Sequence, residues 1–261
     1  MAMTVYHTME YPWRSVDVIV PLIIELLDPK SVVDFGCNVG CWLDRFRRNS
    51  VIDICGIDGE YISESDLLIP KENYISFNLN DVRELKLERQ FDLALCLECA
   101  EHLEPSSAED IVETLCKSAP HVVFSAAVPG QTGMGHKNEQ YPDFWQALFA
   151  RQGYEMFDAF RPQIWKREEV DFWYRQNLFL FSKSEKTFNF SVPKWDGRFY
   201  VARELLEIYV QALDSVNQQE IIRLDHIERL LKQLKPPLTR RILGRLRRPL
   251  RRLKHFVNSA G

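Results

Sequence analysis

The chain has no apolar run of bilayer length. The longest such stretch near its start, VDVIVPLIIELL at residues 16–27, is too short to span a membrane and carries Asp17 and Glu25. The opening MAMTVYHTMEYPWR holds acidic and aromatic residues but no apolar segment of secretion-leader type. No internal repeat recurs, and nothing is low in complexity before the arginine-rich end. The six cysteines all fall in the first half, several within apolar runs such as FDLALCLECA, where a thiol behaves as a small hydrophobe. Cys37 and Cys41 are close in sequence, as are Cys96 and Cys99, but they fit neither a zinc-finger nor a disulfide framework. A membrane-spanning protein and a disulfide-stapled secreted one are thereby set aside. The expectation is a globular chain in a reducing cytoplasm.

What is present suits one large domain, or one domain with an appendage: 261 residues, 46% hydrophobic and 27% charged. The net charge of -4 hides an asymmetry, because residues 235–254 hold nine Lys or Arg and no Asp or Glu. The remainder is therefore strongly acidic, unlike the main surface of a nucleic-acid enzyme.

Apolar spacing predicts a helix over residues 13–27, closed by Asp28-Pro29. Strand-like runs follow at SVVDFG, VIDICGID, YISFNL, FDLALCL and HVVFSAAV. Helical patterns lie between them at residues 41–48 and 106–117. A further helix is expected at 139–152, then strands at YEMFDAF and NLFLFSKS. Strands alternating with helices predict an α/β fold, a mostly parallel sheet with helices on both faces and right-handed crossovers. After Ser184 the pattern becomes irregular, punctuated by Pro193 and Gly197. Residues 202–234 read as a helix with near-heptad apolar positions, ended by Pro236-Pro237. The expected domains are residues 1–185, and 186–261 as a linker and helical extension with a basic tail.

VVDFGCNVG ends the first strand and opens a helix. Glycines at 36 and 40 let the backbone take unusual angles and let another molecule come close. Ligands of parallel α/β sheets bind at the carboxyl ends of strands, and a helix N-terminus there suits a carboxylate as well as a phosphate. A tight βα turn without a ligand would also explain the glycines. Two further acids argue for the ligand. Asp58, in CGIDGEY, can accept hydrogen bonds from both ribose hydroxyls, or serve a turn ahead of Gly59. Asp81, in FNLNDV, can reach an adenine amino group, or cap the next helix. The turn is G-x-x-x-G rather than G-x-G-x-x-G, which leaves less provision for the pyrophosphate of a hydride-transfer enzyme.

In order and spacing, VVDFGCNVG, GIDGEY, NLNDV and FDLALCLECAEHLEP resemble the class I S-adenosylmethionine-dependent methyltransferases. The resemblance covers residues 31–184. It implies a Rossmann-like seven-stranded sheet with the last strand antiparallel. It also implies that S-adenosylmethionine lies with its methionine part over Asp34, Gly36, Cys37, Asn38 and Gly40. By the same resemblance Asp58 and Gly59 meet the ribose, Asn80 and Asp81 the adenine, and Leu97 and Glu98 the edge near the reacting methyl. Asn38 stands where many members have glycine, and Asn tolerates left-handed angles better than most residues.

LECAEHLEP places Glu98, Glu101 and His102 at i, i+3 and i+4, which sets three ligands on one face of a helical turn. His136 lies in the glycine-rich loop VPGQTGMGHKNEQYP on the same rim. Two carboxylates and two imidazoles can bind Mg2+ or another divalent cation that grips a substrate oxygen. The E-x-x-E-H pattern resembles that of metal-assisted O-methyltransferases. The other use is general base catalysis, for which His136 and then His102 are the candidates, beside Glu98. The segment GHKNEQYPDFW also resembles bacterial methyltransferases that act on glycans or surface polymers. His121 is expected to be structural, and Phe144, Trp145 and Phe149 to be core, while a place in an N-terminal lid is one use open to His7.

The tail PPLTRRILGRLRRPLRRLKHF alternates basic pairs with apolar residues. Such a segment, residues 235–256, suits peripheral contact with an anionic membrane at the inner face, each basic residue contributing about 1 kcal/mol. Docking on the chain's own acidic body, oligomer contact and nucleic-acid binding are the alternatives. The activity expected is methyl transfer to a hydroxyl of a glycan or small molecule. A cofactor-binding module without catalysis and an RNA 2′-O-methyltransferase are the rivals. The absence of an Asn/Asp-Pro-Pro-aromatic motif weighs against amino groups on bases.

Overall fold

The computed structural model describes residues 13–233 apart from residue 199. Seven strands form one sheet in the order β3-β2-β1-β4-β5-β7-β6. They are β1 (Ser31–Phe35), β2 (Asp53–Asp58), β3 (Tyr74–Ser76), β4 (Leu93–Leu97), β5 (His121–Ser125), β6 (Glu155–Phe157) and β7 (Phe179–Ser182). Strands β1 to β5 pair in parallel, and β7 runs antiparallel to both β5 and β6. The Rossmann-like α/β architecture expected from the sequence is the one observed.

The strands explain their own position. β1, β4, β5 and β7 are buried along their whole length. Successive side chains alternate between two cores, as a period of two requires. Val32, Leu93, Leu95, Val123 and Leu180 face one core, shared with α1 (Trp13–Leu27) and α2 (Cys41–Arg48). Val33, Ala94, Cys96, Val122, Phe124, Phe179 and Phe181 face the other, shared with α3 (Ala108–Ser118) and α4 (Pro142–Arg151). Helix α1 continues through Pro21, which sits on its exposed side. Helix α4 starts later than the spacing suggested, with Pro142 in its first turn, where a missing N–H costs nothing.

Trp145 and Phe149 are core residues, as expected. The rings of Phe149 and Phe181 stack with centroids 3.8 Å apart. His121 is structural: Nδ1 meets Ser182 Oγ at 2.8 Å and Nε2 meets Thr187 Oγ1 at 2.9 Å. All six cysteines are free.

YEMFDAF pairs only over Glu155–Phe157, because the Asp158 N–H turns to the Pro193 carbonyl (2.9 Å) and its carboxylate holds Arg161. YISFNL likewise stops at Ser76 and passes into a 3-10 turn, Leu79–Glu84. Two short helices that the spacing did not reveal, α5 (Arg161–Ile164) and α6 (Phe172–Asn177), fill the crossover between β6 and β7.

The chain divides into two compact units, Met1–Ala202 and Arg203–Gly261. Residues 186–202, read from sequence as linker, belong to the first. The outer edge of β6 bridges Phe157 to Lys194, and the Trp195 N–H donates to the Met156 carbonyl (2.9 Å). In the second unit, α7 runs from Arg203 to Gln233. Among the described residues no helix is long and apolar enough to cross a membrane. His7 and the basic tail at residues 235–256 lie outside the described residues.

Candidate active site

The turn after β1 is built from left-handed backbone. Gly36, Asn38 and Gly40 have φ of 82°, 50° and 87°. The N–H groups of Gly36 and Cys37 both donate to the Ile57 carbonyl, which ties the turn to β2. Gly36 has a second reason to lack a side chain: a Cβ there would lie 2.3 Å from Cys99 Sγ. Asn38 takes the left-handed angle for which its side chain is tolerated.

Asp58, at the end of β2, is 5% exposed and fully engaged. Its Oδ2 accepts the Asn38 N–H at 2.7 Å, and its Oδ1 accepts the Gly59 N–H at 2.7 Å and the Tyr61 hydroxyl. Burial pushes its carboxyl up, and these three donors work against that shift. Asp34, inside β1 and 1% exposed, has no partner for Oδ2. Burial first, then the neighbouring Asp58, raises its pKa from 3.8 to about 8.

Beside this turn opens a cleft of about 420 Å3. Of the residues expected to meet the cofactor, Gly36, Asn38, Asp58, Gly59, Asn80 and Glu98 line it, and His102 joins them. Cys37, Leu97 and Asp34 are buried, and neither they nor Gly40 belong to its lining. Asp81 also falls outside the lining. Its exposed carboxylate is taken by Asn78 Nδ2 at 2.7 Å, and Asn78, Leu79 and Asn80 face the cleft instead. The lining contains acids but no Lys or Arg among the described residues. That charge balance suits a cationic sulfonium with a ribose diol, and gives a pyrophosphate nothing to pair with. The unpartnered Asp34 Oδ2, the glycine turn and Asp58 together fit S-adenosylmethionine.

At the opposite rim Glu98 has φ 50°, a strained angle for a non-glycine residue, held by its N–H donating to Ser125. Its Oε2 accepts from Gln131 Nε2 at 3.0 Å, and Gln131 Oε1 accepts in turn from Asn177 Nδ2 at 2.9 Å. Burial raises the Glu98 carboxyl, and Ser125 and Gln131 oppose it.

Glu101 and His102 occupy a 3-10 turn, Ala100–His102. The Glu101 carbonyl accepts the N–H groups of Lys137 (2.8 Å) and Asn138 (3.0 Å), which fastens this turn to the loop carrying His136. One ligand atom from each of Glu101, His102 and His136 lies within 4.8 Å of the others. Glu98, expected as a fourth ligand, is not in that group. The His102 and His136 rings meet edge to face with centroids 4.9 Å apart. Glu101 is 1% exposed and pairs with no cation among the described residues, so burial, and then Glu98, push its carboxyl well above the usual range, against a weaker pull from its own and the Ala127 backbone N–H. Burial, and then His136, lower the His102 imidazole.

The residues that sequence reasoning passed over are Tyr61, Gln131 and Glu139. Glu139 carried a signal, its i, i+3 spacing from His136, whereas Gln131 and Tyr61 carried none.

Residues 7–166 match a family model described as a methyltransferase domain. No curated protein sequence matches the chain. Among solved structures, the chain is similar to S-adenosylmethionine-bound CalS10, an amino pentose methyltransferase from Micromonospora echinaspora involved in calicheamicin biosynthesis. The identity is 12% and the TM-score 0.50, covering 70% of this chain and 98% of that one. DesVI of Streptomyces venezuelae is 13% identical, with a TM-score of 0.48 over 69% of this chain and 95% of that one. An O-methyltransferase family protein from Burkholderia thailandensis is 12% identical with a TM-score of 0.45. That match covers 65% of this chain, which spans only 55% of that protein. With the family model matched over more than half its length and the strand order above, the chain belongs to the methyltransferase-domain family, as a class I S-adenosylmethionine-dependent methyltransferase.

Proposed function

We propose that the chain transfers the methyl group of S-adenosylmethionine to a hydroxyl of a small-molecule or glycan acceptor, assisted by a divalent cation held by Glu101, His102 and His136. The state of Glu101 supports this reading most. An unpaired carboxylate so deeply buried costs several kcal/mol, so it either stays protonated or meets a cation. Two imidazoles beside it complete a donor set that suits Mn2+ or a similar transition ion better than Mg2+. When bound, such an ion supplies Lewis acidity that lowers the pKa of a hydroxyl, and the cofactor supplies an electrophilic methyl. The protein's own part is alignment: Asp58 and the glycine turn hold one reactant, the histidine rim holds the other, and the cleft between them limits water. The likeness of GHKNEQYPDFW to glycan-directed enzymes supports a glycan acceptor.

A second reading is favoured by the hydrogen bond between His136 Nδ1 and Glu139 Oε1 at 2.8 Å. A ring held at Nδ1 can take the acceptor's proton at Nε2 with no ion present.

Calorimetric titration with S-adenosylmethionine, beside Asp58→Ala, tests the cofactor site. The wild-type chain is expected to bind and the variant to bind at least tenfold more weakly. Methyl transfer from radiolabelled cofactor to a panel of hydroxylated sugars, with and without Mn2+, tests the rest. Ion-independent transfer that His136→Asn abolishes supports the base reading. Cofactor binding with no transfer to any acceptor, RNA included, supports a non-catalytic module.

A further inference from the structure

Glu139 holds two backbone N–H groups and the His136 ring at once. Its Oε2 accepts the Gly130 N–H at 2.8 Å, and its Oε1 accepts the Thr132 N–H at 3.1 Å and faces His136 Nδ1 at 2.8 Å. Backbone N–H groups only donate, so both oxygens serve as acceptors, and a carboxylate that faces Nδ1 can only accept there. The proton of the neutral His136 ring therefore sits on Nδ1, and Nε2 carries the lone pair. That nitrogen lies directly over Gly133, where a Cβ would come within 2.1 Å of it. One carboxylate thus sets the chemistry of the ring and the path of the loop, and one glycine leaves the ring its place.

We propose that Glu139 is a positioning residue that fixes the Nδ1–H tautomer of His136 and binds the loop of Gly130 and Thr132 into the shape that aims the ring. The proposal rests on the reading of His136 as a group that works on the acceptor. It serves both forms of that reading, since a ligand and a base each need the lone pair on Nε2. Histidines that bind ions commonly donate their other N–H to a carboxylate, which orients the ring and raises its basicity. Nothing in the arrangement depends on the cleft: Glu139 is not part of its lining.

The test is long-range 1H–15N spectroscopy of the full chain labelled in histidine, under alkaline conditions that keep the ring neutral, with His136 assigned by His136→Asn. The wild-type ring is expected as Nδ1–H. Glu139→Ala removes the oxygen that faces Nδ1, so the ring is expected to lose its preference for Nδ1–H and shift to Nε2–H. S-adenosylmethionine affinity, read by calorimetry, stays within about twofold of wild type and shows that the variant is folded. Gly133→Ala, which leaves Glu139 in place, is expected to shift the His136 ring resonances by displacing the ring. A wild-type ring in the Nε2–H form, or a tautomer unchanged in Glu139→Ala, overturns the proposal. Where an acceptor is in hand, Glu139→Ala lowers kcat about 10- to 100-fold with KM for the cofactor unchanged. Full activity of His136→Asn with the tautomer result intact would refute the role given to His136 but not the action of Glu139 upon it.

Discussion

Tyr61 donates its hydroxyl to Asp58 Oδ1, the oxygen that also receives the Gly59 N–H. A ribose diol seeking that carboxylate meets an acceptor already in use, by a side chain that is itself 53% exposed. The phenol stands in for a sugar hydroxyl and must yield when the sugar arrives. Removing it with Tyr61→Phe is expected to tighten S-adenosylmethionine binding about fivefold, the worth of one hydrogen bond of about 1 kcal/mol. Calorimetry decides; weaker binding would mean that the phenol contacts the cofactor rather than competing with it.

The buried Asp34 gives stability a pH dependence of known sign. Its folded pKa, about 8, is above its unfolded value of 3.8, so the folded state holds the extra proton between them. The contribution is full below the unfolded value and is lost as pH rises through the folded one. Asp34→Asn removes this slope. Thermal melts should show the variant gaining on the wild type from pH 5 to about 8, with no further gain above. Parallel melting curves across that range would refute the assignment.

Gly36→Ala should be costly for two separable reasons, its left-handed angle and the collision with Cys99. A loss of about 2–4 kcal/mol is expected in denaturant titration. Adding Cys99→Ala should restore little, because Cys99 Cβ already stands 2.6 Å from the new methyl group and the angle is unchanged.

Glu101→Gln separates the cation from the fold. The amide is uncharged and nearly isosteric, so the ion-free variant should melt no lower than the wild type. Mn2+ should raise the melting temperature of the wild type and leave that of Glu101→Gln unmoved. An equal rise in both would place the ion elsewhere.

Much of the fold was legible because its central strands are buried on both faces and spell themselves as apolar runs. SVVDF, LALCL and HVVFS leave little else to be. The places of Gly36 and Asp58 at the ends of β1 and β2 were legible because each follows directly on an apolar run. The short helices α5 and α6 were not, since four and six residues hold too little period to read. Asp81 stays out of the cleft's lining while Asn78, three residues earlier, holds its carboxylate, an arrangement of the local turn and not of the strand before it. Tyr61 and Glu139 act through loop conformation, which no periodicity encodes. The Glu101–His102–His136 group was readable in part, because E-x-x-E-H fixes a turn, whereas the distance to His136 depends on the backbone bonds from residues 137 and 138 to Glu101.

The outermost strands of the sheet, β3 and β6, are three residues each, and the free side of β6 is already bridged at Lys194. An open strand edge is a template on which another chain can add itself, and aggregation through that route grows with its length. Among the described residues, copies of this domain colliding in a crowded solution find almost no backbone at either end of the sheet to pair with.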